Sequence, residues 1–266
     1  MPHQRLLLGR SAGLQVEEVR FAGRPARASQ AVEWSPVYQP AGDRMVLPGE
    51  GTTEVRIAGD RLLADALTAW FLAAGASYQV GEVGTCGRTN VVVSGDGGSS
   101  HGLPGRPALL APRALLRLRL HWKALRTGEA RAGETPAIVR AAGEGAGVAC
   151  STGAAGRTRR FVAAAVAAGE SHSLDEIAEE VGGSPFHLAR SFRKATGLSI
   201  HQYRTQLRMA LALARIEQGE CDLAGLAHDL GYAHQSHFGE VFRSETGMTP
   251  GQARAALGPV RSLRSG

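Results

Sequence analysis

The sequence predicts an α+β chain of two domains, a β-rich N-terminal barrel followed by an all-α C-terminal domain of seven helices. Three observations carry this reading. Residues 174–204, LDEIAEEVGGSPFHLARSFRKATGLSIHQYR, are nearly repeated by residues 223–254, LAGLAHDLGYAHQSHFGEVFRSETGMTPGQAR, and both copies have helical apolar spacing. Before residue 157 the apolar residues fall instead in short runs between Gly and Pro, the pattern of a sandwich or barrel. Most of the 35 glycines among the 266 residues lie in that same half, in a chain with nearly double the usual glycine share of about 7%.

In the N-terminal half the strand candidates are MVLPGEG, TEVRIAGD, TAWFLAAGASYQV and TNVVVSGDGG. Its histidines, His3, His101 and His121, are far apart and form no HxH pair, so no metal site or metal cofactor is expected. Trp34, Tyr38, Trp70, Phe71 and Tyr78 read either as a pocket lining or as barrel filling. Cys86, in GEVGTCGRTN, reads more simply as an inert core residue than as a reactive thiol. Three scattered cysteines, Cys86, Cys150 and Cys221, contain no CxxC and suggest a reducing cytoplasm. No apolar run approaches the roughly 20 residues a membrane span needs, and the opening MPHQRLLLGR lacks the pattern of a signal peptide.

Residues 112–127 form a separate helix. Leu115, Leu118, Trp122 and Leu125 follow coiled-coil spacing between basic neighbours, which predicts a dimerisation seam; the alternative is packing against the chain's own barrel. Residues 129–156, rich in Gly, Ala, Thr and Glu, read as a linker.

The C-terminal helices carry their own punctuation. One is expected around 157–168. Ser173 with Glu176, Ser199 with Gln202 and Thr249 with Gln252 are capping boxes, Ser184-Pro185 is an N-cap and first helical residue, and Gly197 and Gly247 are stops. Each copy of the repeat is thus a short helix, a tight turn and a second helix, the outline of a helix-turn-helix, at 174–195 and 222–245. The helix between the copies, about 19 residues or about 28 Å, is compatible with major-groove segments about 34 Å apart.

The net charge of +6 does not locate this activity, because residues 157–266 hold 13 basic against 11 acidic residues. The distribution does. From Ser184 to Ile216 there is no acid, while Arg190, Arg193, Lys194, Arg204, Arg208 and Arg215 fall in that window. A recognition helix offers its outer N-terminal residues to base edges. In the first copy these are Phe186, His187, Ala189, Arg190 and Arg193. Arg190 suits guanine O6 and N7, Phe186 a thymine methyl, and Arg193 with Lys194 the phosphates. In the second copy Gln235 suits adenine and Glu240 cytosine, with Ser236, Arg243, His234 and His237 beside them. A Glu240–Arg243 ion pair is the plainer role for that glutamate, and packing beside the core for His187 and His237.

Over about 100 residues, the segments SPFHLARSFRKATGLSIHQYR and HDLGYAHQSHFGEVFRSETGMTP and the closing GQAR resemble the DNA-binding domain of the AraC/XylS family of bacterial transcription regulators. One departure is Ala233-His234, which stands where that family usually has a Ser- or Asp-type N-cap. More loosely, the stretch from Arg44 to Gly81 resembles the cupin-like barrel found upstream of this domain in part of the family. The resemblance implies a cupin-like sensory domain at 1–108, a dimer helix at 109–128, the linker at 129–156, a DNA-binding domain at 157–258 and a tail at 259–266. It implies a sequence-specific regulator and not an enzyme, acting on an operator in double-stranded DNA as a homodimer. RNA polymerase and an unidentified small-molecule effector would be further partners, with no cofactor. The alternatives are a ligand-independent architectural DNA binder and, further off, a cupin-type enzyme or a DNA-repair alkyltransferase. The missing His cluster and the missing cysteine motifs argue against the two enzymes.

Overall fold

The computed structural model describes residues 3–11, 13–21, 32, 34–82, 88–95, 107–144, 147–148 and 152–258. Cys86, Cys150, His101, the side chain of His3 and the tail 259–266 lie outside the described residues.

The short apolar runs are strands. In chain order they are β1 (His3–Ser11), β2 (Leu14–Phe21), β3 (Arg44–Glu50), β4 (Thr53–Ile57), β5 (Asp60–Ala64), β6 (Thr68–Leu72), β7 (Tyr78–Glu82), β8 (Arg88–Gly95) and β9 (Ala108–Leu109). A further short strand, β10 (Gly147–Val148), follows later in the chain. One sheet runs β1-β2-β8-β3-β6-β9-β10 and a second β5-β4-β7, with antiparallel pairing throughout. Of the five aromatic residues expected to line or fill the barrel, only Trp70 is buried; Trp34, Phe71 and Tyr78 are half-buried and Tyr38 is exposed. The Trp70 ring lies 6.2 Å from that of Tyr78, which lies 5.7 Å from Tyr38. A cavity of only about 60 Å³ remains beside them. Trp34 lies under the Arg56 guanidinium at 4.0 Å, a cation–π contact.

Two expectations are corrected here. The helix at 112–127 exists, as α1 (Pro112–Thr127), but its seam is covered by the chain itself: Leu115, Leu118, Trp122 and Leu125 are all buried in the core. Under two heptads of apolar spacing cannot distinguish a partner helix from the chain's own body, and here the body won. A second copy would have to pull this stripe out of the core to reach it. The stretch 129–156 is not a bare linker either. It holds a 3-10 turn (Ala132–Glu134), α2 (Thr135–Gly143) and β10. Pro136 opens α2, and Val139 and Ala142 are buried beneath it, while a Gly-rich composition hid the helix from the sequence.

The C-terminal half forms seven helices: α3 (Gly153–Ala167), α4 (Leu174–Val181), α5 (Pro185–Thr196), α6 (Ile200–Glu217), α7 (Leu223–Asp229), α8 (Gln235–Thr246) and α9 (Pro250–Leu257). All three capping boxes form, at Ser173/Glu176, Ser199/Gln202 and Thr249/Gln252. Gly197 and Gly247 end α5 and α8 at φ +80° and +88°, a conformation that glycine adopts without strain. The buried apolar residues of both halves join in one cluster.

A buried polar knot also crosses between the halves. Asp65, in the turn from β5 to β6, accepts bonds of 2.6 Å from both Arg159 on α3 and the Tyr203 hydroxyl on α6. It also accepts from the Leu67 amide and the Thr68 hydroxyl. Arg159 further donates to Thr68 and to the Leu63 carbonyl. Both members of the Arg159–Asp65 pair are fully buried. Burial is the largest influence and alone would lower the Arg159 pKa, but the charges and hydrogen bonds of Asp65 and Tyr203 together outweigh it and the net shift is upward. Burial, reinforced by Asp65, pushes the Tyr203 phenol well above its usual value. Helices α3 and α6, which flank the first helix-turn-helix, are therefore fastened to the β-rich half by a charge that cannot be exposed piecemeal.

Candidate nucleic-acid interface

The two helix-turn-helix units, α4–α5 and α7–α8, repeat in space as they do in sequence. Along α5 the buried positions are Leu188, Phe192 and Thr196; along α8 they are Phe238, Phe242 and Thr246. Both threonines bond back to the carbonyl four residues earlier, at 2.8 Å and 2.7 Å. After the first residue the two helices share one order of buried, half-buried and exposed positions. This is what one packing solution used twice looks like: the inward stripe fixes the roll of each helix, and so fixes which residues face out.

The outward residues are those singled out in the sequence. Phe186, His187, Arg190, Arg193 and Lys194 are exposed on α5, with Ala189 half-buried. His234, Gln235, Ser236, His237, Glu240 and Arg243 are exposed at and along α8. Phe186 is 78% exposed, the most open of the large hydrophobic residues described. An aromatic ring left bare on a charged face gains nothing from water and is suited to a partner's apolar groups. The ring of His237 lies edge-on to Tyr232 at 5.6 Å, although its residue stays exposed.

The electrostatics separate two kinds of arginine. Arg190, Arg193, Lys194 and Arg243 form no ion pair among the described residues, and Glu240 does not pair with Arg243. The other cations of the basic window are used inside the fold. Arg204 bonds the His172 carbonyl at 2.7 Å, Arg208 lies over the Tyr232 ring at 5.6 Å, and Arg215 is held by Asp229 and Glu220. The hydrogen bond from Arg215 to Asp229 leads in raising its pKa. Three of the six cations in the window are thus engaged within the fold, because spacing alone does not reveal which arginines already have a carboxylate, a ring or a backbone carbonyl.

The starts of the two outward helices differ. Ser184 caps α5 by accepting from the His187 amide, and Pro185 follows it. His234 occupies the N-cap of α8 and makes no side-chain cap bond. The residues that sequence reasoning missed are Asp65 and Arg159. A lone Asp in a turn and one Arg in a helix carry no local signal; only the tertiary pairing reveals them.

Among the described residues no group of three or more His, Cys, Asp or Glu is placed to hold a metal, and no helix is long and apolar enough to cross a membrane.

Two outward helices of matched roll, each behind a tight turn and each bearing unpaired cations, define a double helix-turn-helix DNA-binding domain. The comparisons agree. A family model described as a helix-turn-helix domain matches residues 157–256. The transcriptional activator RhaR of Klebsiella pneumoniae is 37% identical over 81 residues, 30% of this chain and 29% of RhaR. The regulatory protein SoxS of Salmonella typhimurium is 35% identical over 85 residues, 32% of this chain and 79% of SoxS. The chain therefore belongs to the AraC/XylS family of DNA-binding transcription regulators. Its matched part spans under a third of the length of RhaR. Among solved structures, ToxT from Vibrio cholerae aligns with 93% of this chain and 99% of its own at 11% identity, TM-score 0.40. The C-terminal domain of AraT from Geobacillus stearothermophilus aligns with 43% of this chain and 94% of its own at 23% identity, TM-score 0.40.

Proposed function

We propose that the chain is a one-component regulator whose helices α5 and α8 enter adjacent major-groove segments of one operator duplex, under the control of an effector acting at the N-terminal half. The observation that carries this reading is the matched exposure of α5 and α8 at either end of α6, whose 18 residues span about 27 Å. Side chains and helix radii extend that reach toward the about 34 Å between groove segments on one face of the duplex.

In this reading Arg190 grips a guanine and Phe186 lies on a thymine methyl, while His187 and Ala189 line the same contact. Arg193 and Lys194 hold phosphates. On α8, Gln235 takes an adenine and Glu240 a cytosine amine, with Ser236, Arg243, His234 and His237 at the backbone. One chain already carries two readers, so a two-block operator requires no second copy. The chain acts in the cytoplasm, with RNA polymerase as a partner at the promoter, and carries out no enzymatic step.

Selection of bound sequences from a random duplex library, with wild type and Arg190→Ala side by side, tests this. The expected result is a motif of two blocks about one helical turn apart, with one block blurred in the variant at a cost of about 1–3 kcal/mol. A motif with a single block would refute bipartite reading.

A further inference from the structure

Among the described residues, a cavity of about 60 Å³ lies within the β-rich half, well below the roughly 300–1,000 Å³ of small-molecule sites. The roomy site lies elsewhere. A cavity of about 650 Å³ opens where β2, β3 and β8 meet α1 and the C-terminal ends of α6 and α9. That size falls within the roughly 300–1,000 Å³ of small-molecule sites.

Its lining is strongly charged. Among the described residues, Arg20, Arg119, Lys123 and Arg126 line it beside two carboxylates, Glu18 and Glu217, an excess of two positive charges in this set. The two carboxylates are already engaged: Arg126 bridges both, Arg20 holds Glu18 and Arg119 holds Glu217. Lys123 is tied to the Ala256 and Gly258 carbonyls at 2.8 and 2.9 Å, contacts that leave its charge uncancelled. Arg119, 5% exposed, also donates to the Gly49 carbonyl, yet its Nε is buried without a hydrogen-bond partner. A buried guanidinium with an idle donor on a cavity of excess positive charge is an incomplete site. Guanidinium groups match carboxylate and phosphate oxygens in pairs.

We infer that this seam cavity binds a small organic anion carrying two or more negative charges, a polycarboxylate or a phosphorylated metabolite. One carboxylate would leave part of the positive excess uncancelled, whereas a multivalent anion offsets it. As the effector of the regulator, such an anion rests on the function proposed above. It would touch the β-rich half, α1 and the elements carrying the second reading unit at once, so its binding couples to operator affinity.

The test uses the full chain, with citrate, inorganic pyrophosphate and the univalent amphiphile decanoate as probes at constant ionic strength. Because a polyanion also meets the basic face of α5, three variants run beside wild type: Arg20→Glu and Lys123→Gln at the cavity, and the double variant Arg193→Ala/Lys194→Ala at the DNA face. Arg20 is 63% exposed and its partner Glu18 keeps Arg126 when it is replaced, while Lys123→Gln breaks no ion pair, so a loss seen in both variants is not a folding defect of one. The expected result is a saturable rise in melting temperature, about 5 °C at a hundredfold excess over Kd, with citrate or pyrophosphate. It should persist in the DNA-face variant and weaken at least tenfold in apparent affinity in both cavity variants. No shift with either multivalent anion, a shift lost only in the DNA-face variant, or a shift with decanoate alone each overturns the assignment. Library selection on the ligand-free chain separates the two readings. A two-block motif without an anion shift sinks the cavity and leaves the regulator standing, and a cavity-dependent shift without any motif does the reverse.

Discussion

The helices α5 and α8 are built on one plan and equipped differently. Each buries residues at the same three positions and ends on a glycine in the left-handed region. Beyond that, α5 is capped by Ser184 and shows three unpaired cations with the bare Phe186 ring. Helix α8 starts at an uncapped His234 and balances Arg243 against Glu240. Their moorings differ as well. The helices flanking the first unit, α3 and α6, are fastened by the Asp65–Arg159–Tyr203 knot, and the end of α5 meets β10, where Gly147 approaches so closely that a Cβ would lie 2.5 Å from the Thr196 carbonyl. The second unit instead leans on α1, with Arg113 beside Gly247 at the negative end of α8 and Lys123 on the last carbonyls of α9. The packing stripe is what two such units must share; charge, cap and mooring can diverge. On the proposed function, this difference predicts that the first unit supplies more of the affinity and the second more of the discrimination.

The largest expected effect comes from breaking the first mooring. Asp65→Ala removes the carboxylate that offsets the buried Arg159 charge, at a cost of about 3–5 kcal/mol in denaturant unfolding. Tyr203→Phe removes one charge-assisted hydrogen bond and should cost about 2 kcal/mol. An Asp65→Ala cost under about 1 kcal/mol would mean that the two halves are not joined through this knot.

The unequal charge of the helices predicts unequal salt dependence. Arg193→Ala and Lys194→Ala should each weaken operator binding evenly across sequences and reduce the slope of log K against log salt by about 0.9. Arg243→Ala removes the one Arg or Lys of α8 placed at the backbone, against two on α5, so the α5 double variant should lose more. Equal losses from α5 and α8 variants would erase this division of affinity from discrimination.

Much of this was legible in the sequence because the C-terminal half writes its structure locally. Ser173, Ser199 and Thr249 each sit three residues before a Glu or Gln, and all three form the cap that this spacing predicts. The outward residues of α5 and α8 followed from the inward stripe. The strands of the N-terminal half were legible as short runs, but their use was not. Leu115, Leu118, Trp122 and Leu125 show that apolar spacing names a buried face without naming what buries it. Asp65 and Arg159 stand 94 residues apart, and the cavity cations on β2, β8 and α1 lie in three separate segments. No local pattern joins such residues; only the folded chain does.

The cap difference gives a smaller and cleaner contrast. Ser184→Ala should cost about 1 kcal/mol, while His234→Ser, which supplies the missing acceptor, should stabilise by about 0.5–1 kcal/mol. Operator affinity then decides the role of His234. A tighter or unchanged complex makes it only a poor cap, whereas a weaker complex despite the added stability makes it a contact to DNA.

The smallest expected effect concerns α1, on which the second unit leans. His121 is buried against α2, with its Nε2 2.9 Å from the Thr135 hydroxyl. Burial lowers its pKa below the usual value of about 6.5, with the charge of Glu134 opposing. The unfolded chain therefore takes up this proton first as pH falls. The contribution of neutral His121 is complete above about pH 6.5 and is lost as the pH falls from there toward the lower folded pKa. In His121→Gln that part of the pH dependence should vanish, so the variant's stability should fall less steeply between pH 7.5 and pH 5.5 (a range set by the roughly 6.5 reference value). Parallel slopes for wild type and variant would show that the α1–α2 contact does not titrate. Operator selection at the two pH values then carries the comparison to its end: if α1 is the mooring of the second unit alone, acidification should blur the block read by α8 before the block read by α5.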